Sequence, residues 1–239
     1  MSKKTLLYKG KLIILALVLL VPGFLYWAVG KLGSNQYVRL PVYGHKELSG
    51  EMKRNWGREY PDTIFHTVPE LALNDVQRGP IHFMESDTSI SVVHLFYGRD
   101  DSFSKLMLDH VDALASRFQA IPLVQFYSVS VDSTDTAERI RGLLKDYKDL
   151  DKKHWYIGLH PDRPIFEYAR EQLLIDAMID PADSSRFLIS NQLVLIDGKH
   201  RIRGFYDISV KGEVGRLEDE IKLLTVEELR NRSTKIEQR

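Results

Sequence analysis

The chain has 239 residues and not one cysteine. That absence excludes disulfides, thiol catalysis, thiolate metal centres and lipid attachment through a cysteine. Charge of either sign in excess is also missing: 33 Lys and Arg balance 33 Asp and Glu, for a formal net charge of +0. Phosphate backbones are bound by concentrated basic faces, so nucleic acid is excluded as a main partner. No glycine-rich phosphate loop occurs, nor a His-Glu-x-x-His or Gly-x-Ser-x-Gly pattern. Ser104 has no histidine and acid that the sequence alone sets beside it. Nothing here points to an enzyme; a peroxidase or hydrolase would need a carboxylate or histidine with a shifted pKa near Asp100.

What is present begins with Leu12 to Gly30, which carries no charge and is rich in Leu, Ile and Val. At about 1.5 Å per residue it just crosses a hydrocarbon core of roughly 30 Å. Lys3, Lys4, Lys9 and Lys11 precede it, Tyr26 and Trp27 suit the far interface, and Pro22-Gly23 is tolerable inside a membrane helix. The expectation is a cytoplasmic N-terminus over residues 1–11, a single anchor over 12–30 and an exported remainder, periplasmic in a bacterium. A signal peptide cleaved after Ala28-Val29-Gly30 is the alternative. Residues 31–66 are polar and broken by Gly33, Pro41, Gly44, Gly50, Gly57 and Pro61, and read as a stalk in which Leu40–Tyr43 forms at most a short edge strand.

Residues 67–228 read as one domain. A hairpin over Val68–Leu73 and Pro80–Phe83 opens it. Ile90–Tyr97 is a near-continuous apolar run, as in a strand buried on both faces. Ser102–Phe118 repeats apolar residues at helical spacing. Ile121–Val131 alternates as a second strand. Asp135 and Glu138 resemble a capping box before a helix with Ile140, Leu143 and Leu144 inward. A short strand at Trp155–Ile157, a helix at Ile165–Leu174 behind Pro164, a loop at Met178–Ser190, a hairpin at Gln192–Ile196 and Arg201–Tyr206, and a helix through Val214, Leu217, Ile221 and Leu224 complete the pattern. Residues 229–239 read as a charged tail. This order predicts an α/β, thioredoxin-like three-layer domain: a mixed sheet with helices on both faces, behind one N-terminal transmembrane helix.

Particular residues sharpen that expectation. Phe96-Tyr97 closes the first long strand. Ser130-Val131-Asp132-Ser133-Thr134-Asp135-Thr136 follows the second. Trp155 precedes Gly158, and Leu195-Ile196-Asp197-Gly198 precedes Arg201-Ile202-Arg203-Gly204-Phe205-Tyr206-Asp207. In order and spacing these segments resemble the SCO/SenC family, membrane-anchored thioredoxin-like proteins that help deliver copper to cytochrome c oxidase. The resemblance covers Thr67 to Leu224, and departs in lacking a proline after Asp132, where the loop is a residue shorter. It implies a copper site of two cysteines, four residues apart at the start of the first helix, and one histidine before the late strand. Those positions fall on Asp100, Ser104 and Ile189. Two thiolates and an imidazole suit copper, whereas none of these three residues reproduces that set. The resemblance thus implies a binding or assembly module without the family copper site and with no cofactor. Its partners would be the membrane and respiratory oxidase subunits, or another SCO-like protein.

Other readings of the same residues remain. Asp100, Asp101 or Ser102 can cap the helix, or the two aspartates can hold a hard cation given further oxygen ligands. Met107 and His110, three apart on one helix, could bind copper with His94; core filling by Met107 and a satisfied buried histidine at His94 explain them equally. His154 and His160 flank a surface loop. Asp132 and Asp135 suit the turn after the second strand.

Overall fold

A computed structural model describes residues 15–18, 20–28, 39–55, 58–85, 88–99, 101–160 and 165–237. The chain divides into two compact units, Met1–Val38 and Arg39–Arg239. In the first, residues 15–18 and 20–28 are helical and present Leu15, Leu17, Val18, Phe24 and Trp27 outward. Among the described residues no helix is long and apolar enough to cross a membrane. Leu12, Ile13, Ile14, Leu19, Val29 and Gly30 of the expected span lie outside them.

The second unit is built on a seven-stranded mixed sheet. Its strands are β3 (Leu71–Asp75), β4 (Gly79–Phe83), β5 (Ile90–Phe96), β6 (Val124–Ser130), β7 (Trp155–Leu159), β10 (Gln192–Ile196) and β11 (Ile202–Asp207), in the order β11-β10-β5-β6-β7-β3-β4. β5, β6 and β7 run parallel; the outer strands pair antiparallel. All seven residues of β5 are buried, which explains its near-continuous apolar run. Helix α1 (Asp101–Phe118) joins β5 to β6, and α2 (Ala137–Leu143) follows β6. Their apolar stripes meet Ile90, Val92, Phe96, Val124 and Phe126 on one face of the sheet, with Leu217, Ile221 and Leu224 of α4 (Glu213–Glu237). The opposite face carries Val93, Leu95, Tyr127 and Val129 under α3 (Phe166–Glu171), through Ile165, Ala169 and Leu173. Side chains two apart on a strand share a face, so β5 and β6 each feed both cores.

Three expectations are corrected. Residues 31–66 are not all irregular: Lys46–Asn55 (β1) and Arg58–Phe65 (β2) form an antiparallel hairpin. Its register shifts between Leu48 and Met52, and Gly50, with φ +78°, sits in that shift. The glycine serves a bulge, not a break. The loop at Met178–Ser190 contains two paired three-residue strands, β8 (Ala177–Ile179) and β9 (Phe187–Ile189). The expected tail is helical, since α4 continues to Glu237.

Residues 39–43 form no strand, yet they lie along β11. The Tyr43 N–H donates to the Ile202 carbonyl at 2.9 Å. The buried Arg203 guanidinium donates to the Leu40 and Pro41 carbonyls at 2.9 and 3.1 Å, and to Asp197 and Glu227 at 2.8 and 3.1 Å. Burial opposes the charge on Asp197, but bonds from Arg201 and Arg203 outweigh it and hold the carboxyl below its usual range.

Candidate functional site

The junction from β5 into α1 lies at the carboxyl ends of the parallel strands, where open α/β sheets bind ligands. It begins with Tyr97, Gly98 and Arg99. The Gly98 N–H donates to Asp135 Oδ2 at 2.8 Å, and the Ser130 hydroxyl donates to the same oxygen at 2.6 Å. A Cβ on Gly98 would stand 2.7 Å from Ile140 Cδ1 and 2.8 Å from Asp135 Oδ1. Glycine is required there for space. Asp135 is therefore not the helix cap that its spacing to Glu138 suggests. The cap is Thr136, whose hydroxyl accepts from the Arg139 N–H at 3.3 Å.

Beside this clamp, Arg99 Nε donates to Asp132 Oδ2 at 2.7 Å, and its guanidinium lies 5.3 Å from the centre of the Phe187 ring. Burial raises the cost of charge on Asp132, but the Thr134 hydroxyl and N–H, with Arg99, hold its carboxyl below the usual range. Arg99 thus ties the junction to the loop after β6 and to the β8–β9 hairpin. Asp132 keeps the turn role read from sequence through Thr134, and both aspartates also bond across the fold, to Arg99 and to Gly98.

Ser104 is fully buried on the first turns of α1. Its hydroxyl donates to the Tyr97 carbonyl at 2.8 Å and accepts from the Tyr97 N–H at 3.3 Å. It brackets the end of β5 and leaves no donor facing outward. Ile189 is half-buried on β9 and lines, with Tyr97, Phe103 and Phe187, a groove of about 1020 Å³ over the junction. The rim carries Arg170, Asp176 and Arg186. Ile189 thus shares this groove with Tyr97, the residue to which Ser104 is bonded. Asp100 lies outside the described residues, as does the side chain of Asp101. A buried hydroxyl and an alkyl side chain offer no soft donor, and these two do not fit a copper site of the thiolate–imidazole kind.

His94, Met107 and His110 are placed differently. Met107 is sealed in the core under α1, and His110 is half-buried further along the helix. His94 is fully buried on β5, with Nδ1 3.2 Å from the Leu95 carbonyl and Nε2 2.6 Å from Ser128 Oγ. A carbonyl only accepts, so Nδ1 carries the proton and Nε2 accepts from the Ser128 hydroxyl. Ser128 in turn accepts from the Trp155 indole N–H at 2.8 Å. Burial pushes the His94 pKa down to about 4, which keeps the ring neutral. Both nitrogens are engaged, so His94 presents no spare lone pair. Among the described residues no group of three or more His, Cys, Asp or Glu side chains is arranged to hold a metal ion.

Sequence reasoning did not foresee the roles of Gly98, Arg99, Ser128 or Arg203. Only Arg203 left a signal, as a charge in an otherwise apolar strand pattern.

No protein-family model and no curated protein matches the chain. Its fold does match solved structures. A SCO1/SenC family lipoprotein from Bacillus anthracis superposes with a TM-score of 0.57 at 14% identity, covering 67% of this chain and 95% of that one. BsSco, a member of the Sco family of cytochrome c oxidase assembly proteins, gives 0.56 at 13% identity over 67% and 94%. Apo Sco1 from Thermus thermophilus gives 0.51 at 16% identity over 66% and 91%. The second unit has the thioredoxin-like fold of these proteins, and at such identities the likeness is one of fold.

Proposed function

We propose that this chain is a membrane-anchored, SCO-like module of cytochrome c oxidase assembly that works by binding a partner and not by carrying copper in the family's site. The observation behind this reading is Ser104. By the resemblance it falls at the position of a family ligand, and its hydroxyl is spent bracketing both polar groups of Tyr97. Ile189, which the resemblance sets at the third ligand position, is an alkyl wall of the groove. The anchored topology rests on the uncharged run Leu12–Gly30 and the lysines before it.

The partner reading is tested by extracting the full-length chain from membranes in mild detergent and identifying what comes with it. Oxidase subunits or a second SCO-like protein are expected. A chain recovered alone, with oxidase assembly unaltered when it is deleted, refutes the assembly role. Copper is tested on the same purified chain by Cu(I) titration against a competing chelator. Weak binding, unchanged in Ser104→Ala, is expected. Tight stoichiometric binding refutes the copper-free reading.

A further inference from the structure

Helix α4 is held in two ways along its length. Its first half enters the core through Leu217, Ile221 and Leu224, and Arg117 bonds to Glu218 beside them. Among the described residues, no apolar side chain of α4 beyond Leu224 joins the core; Val226 and Leu229 are 42% and 55% exposed. Thr225 is buried, but its hydroxyl bonds back to the Ile221 carbonyl of the same helix at 2.8 Å. The second half is seated by charged side chains instead. The Glu227 carboxylate accepts from Arg203 at 3.1 Å, and Glu228, only 7% exposed, faces the turn between β10 and β11.

Three carboxylates and two guanidiniums meet at this turn. Asp197 accepts from Arg201 at 2.6 Å and from Arg203 at 2.8 Å, and Glu227 shares Arg203. Two cations against Asp197 and Glu227 leave Glu228 as the carboxylate in excess. The charges that face it are Asp197 and the exposed Lys199 on the turn and Glu227 on its own helix; His200, half-buried, is the other titratable group of the turn. Burial, then the Asp197 and Glu227 charges, outweigh the Gly198 N–H and Lys199, so the Glu228 carboxyl takes up its proton above the usual 4.5.

We propose that Glu228 is an acid-operated latch on the end of α4: protonated, it seats the helix on the β10–β11 turn, and ionised, it loosens the last turns. A buried carboxylate without a cation of its own is costly, whereas the neutral acid is not. In the seated helix the carboxyl keeps its proton; once the helix end lifts, water restores the ordinary value. Between 4.5 and the seated value, lifting releases a proton, so it becomes easier by up to about ten-fold for each pH unit. Well below 4.5 the latch is closed, and above the seated value the loosening levels off. The movement bears on a cleft of about 420 Å³, with Thr225 and Leu229 on one side and Ile121, Pro122 and Leu123 on the other. Lifting the helix end widens that cleft beside the loop that enters β6.

The test is hydrogen exchange of the full-length chain in a mild detergent. Protection factors of the amides of residues 225–230 are followed from pH 4.5 to pH 8, with those of α1 as the reference for the rest of the domain. The wild-type α4 amides are expected to lose protection relative to α1 as pH rises, by up to about ten-fold per unit. Glu228→Gln cannot ionise and should hold the acid level of protection throughout. Glu227→Gln leaves Glu228 in place, removes one anion facing it, and should move the loss to lower pH. A wild-type response reproduced in Glu228→Gln overturns the latch, as does α4 protection that follows α1 at every pH. A loss left at the same pH by Glu227→Gln also overturns it. So does a response that survives Glu228→Gln and vanishes in His200→Gln, which assigns it to the imidazole.

Discussion

Acidifying the protein interrogates the buried chain Trp155–Ser128–His94. In the folded state the imidazole stays neutral because burial lowers its pKa from 6.5 to about 4. On unfolding the ring recovers its ordinary affinity for protons. Between those two values the unfolded state binds more protons, so stability rises with pH in that window. The contribution is complete above about pH 6.5 and is lost as pH falls toward 4. At about 1.4 kcal/mol for each pH unit, the loss approaches about 3 kcal/mol. Protonation at Nε2 also makes that atom a donor facing a Ser128 oxygen that already accepts from Trp155, forcing the hydroxyl to turn. Glu228 acts in the opposite sense: burial, then the Asp197 and Glu227 charges, raise its pKa, so it favours folding as pH falls. Asp132 and Asp197, held low, lose their contributions only in stronger acid. The assay is urea denaturation followed by Trp fluorescence at stepped pH, on the wild type and on His94→Gln, which cannot titrate. The difference between the two isolates His94, because the carboxylates are common to both. Wild-type stability should fall relative to His94→Gln by about 3 kcal/mol from pH 7 to pH 4. Parallel curves for the two proteins would refute a neutral, desolvated His94.

Further outcomes follow from the same contacts. Gly98→Ala drives a methyl into Ile140 and Asp135 and should destabilise by about 1–3 kcal/mol in denaturant titration; a neutral effect would mean the clamp is loose. Arg203→Ala leaves Asp197 short of a buried cation and frees the Leu40 and Pro41 carbonyls, for a loss of about 3 kcal/mol. The Tyr43 amide should then exchange its hydrogen much faster, and unchanged exchange would show that residues 39–43 are held by other means. Ser104→Ala should cost about 1–2 kcal/mol through the unpaired Tyr97 groups, read as a shifted urea midpoint.

Periodicity made the centre of the domain legible. Ile90–Phe96 and the α1 stripe are long enough for two cores to show in one dimension. It failed where elements are short or irregular. Three residues each, β8 and β9 cannot display a period. Gly50, Gly57 and Pro61 look like breakers, although Gly50 sits in a bulge and Pro61 within a strand that pairs on one side only. The capping box failed for a different reason: Asp135 and Thr136 are both capable caps, and the Gly98 N–H, 37 positions away, draws Asp135 off. The candidate site followed the same division. The resemblance pointed to Ser104 and Ile189, but the hydrogen bonds that occupy Ser104 and the aspartates depend on tertiary approach.

The fastening of residues 39–43 along β11 also couples the entry of the domain to its last helix. One buried guanidinium, that of Arg203, holds the Leu40 and Pro41 carbonyls and the Glu227 carboxylate of α4 together. Fraying at either end removes a partner from that charge and weakens its hold on the other.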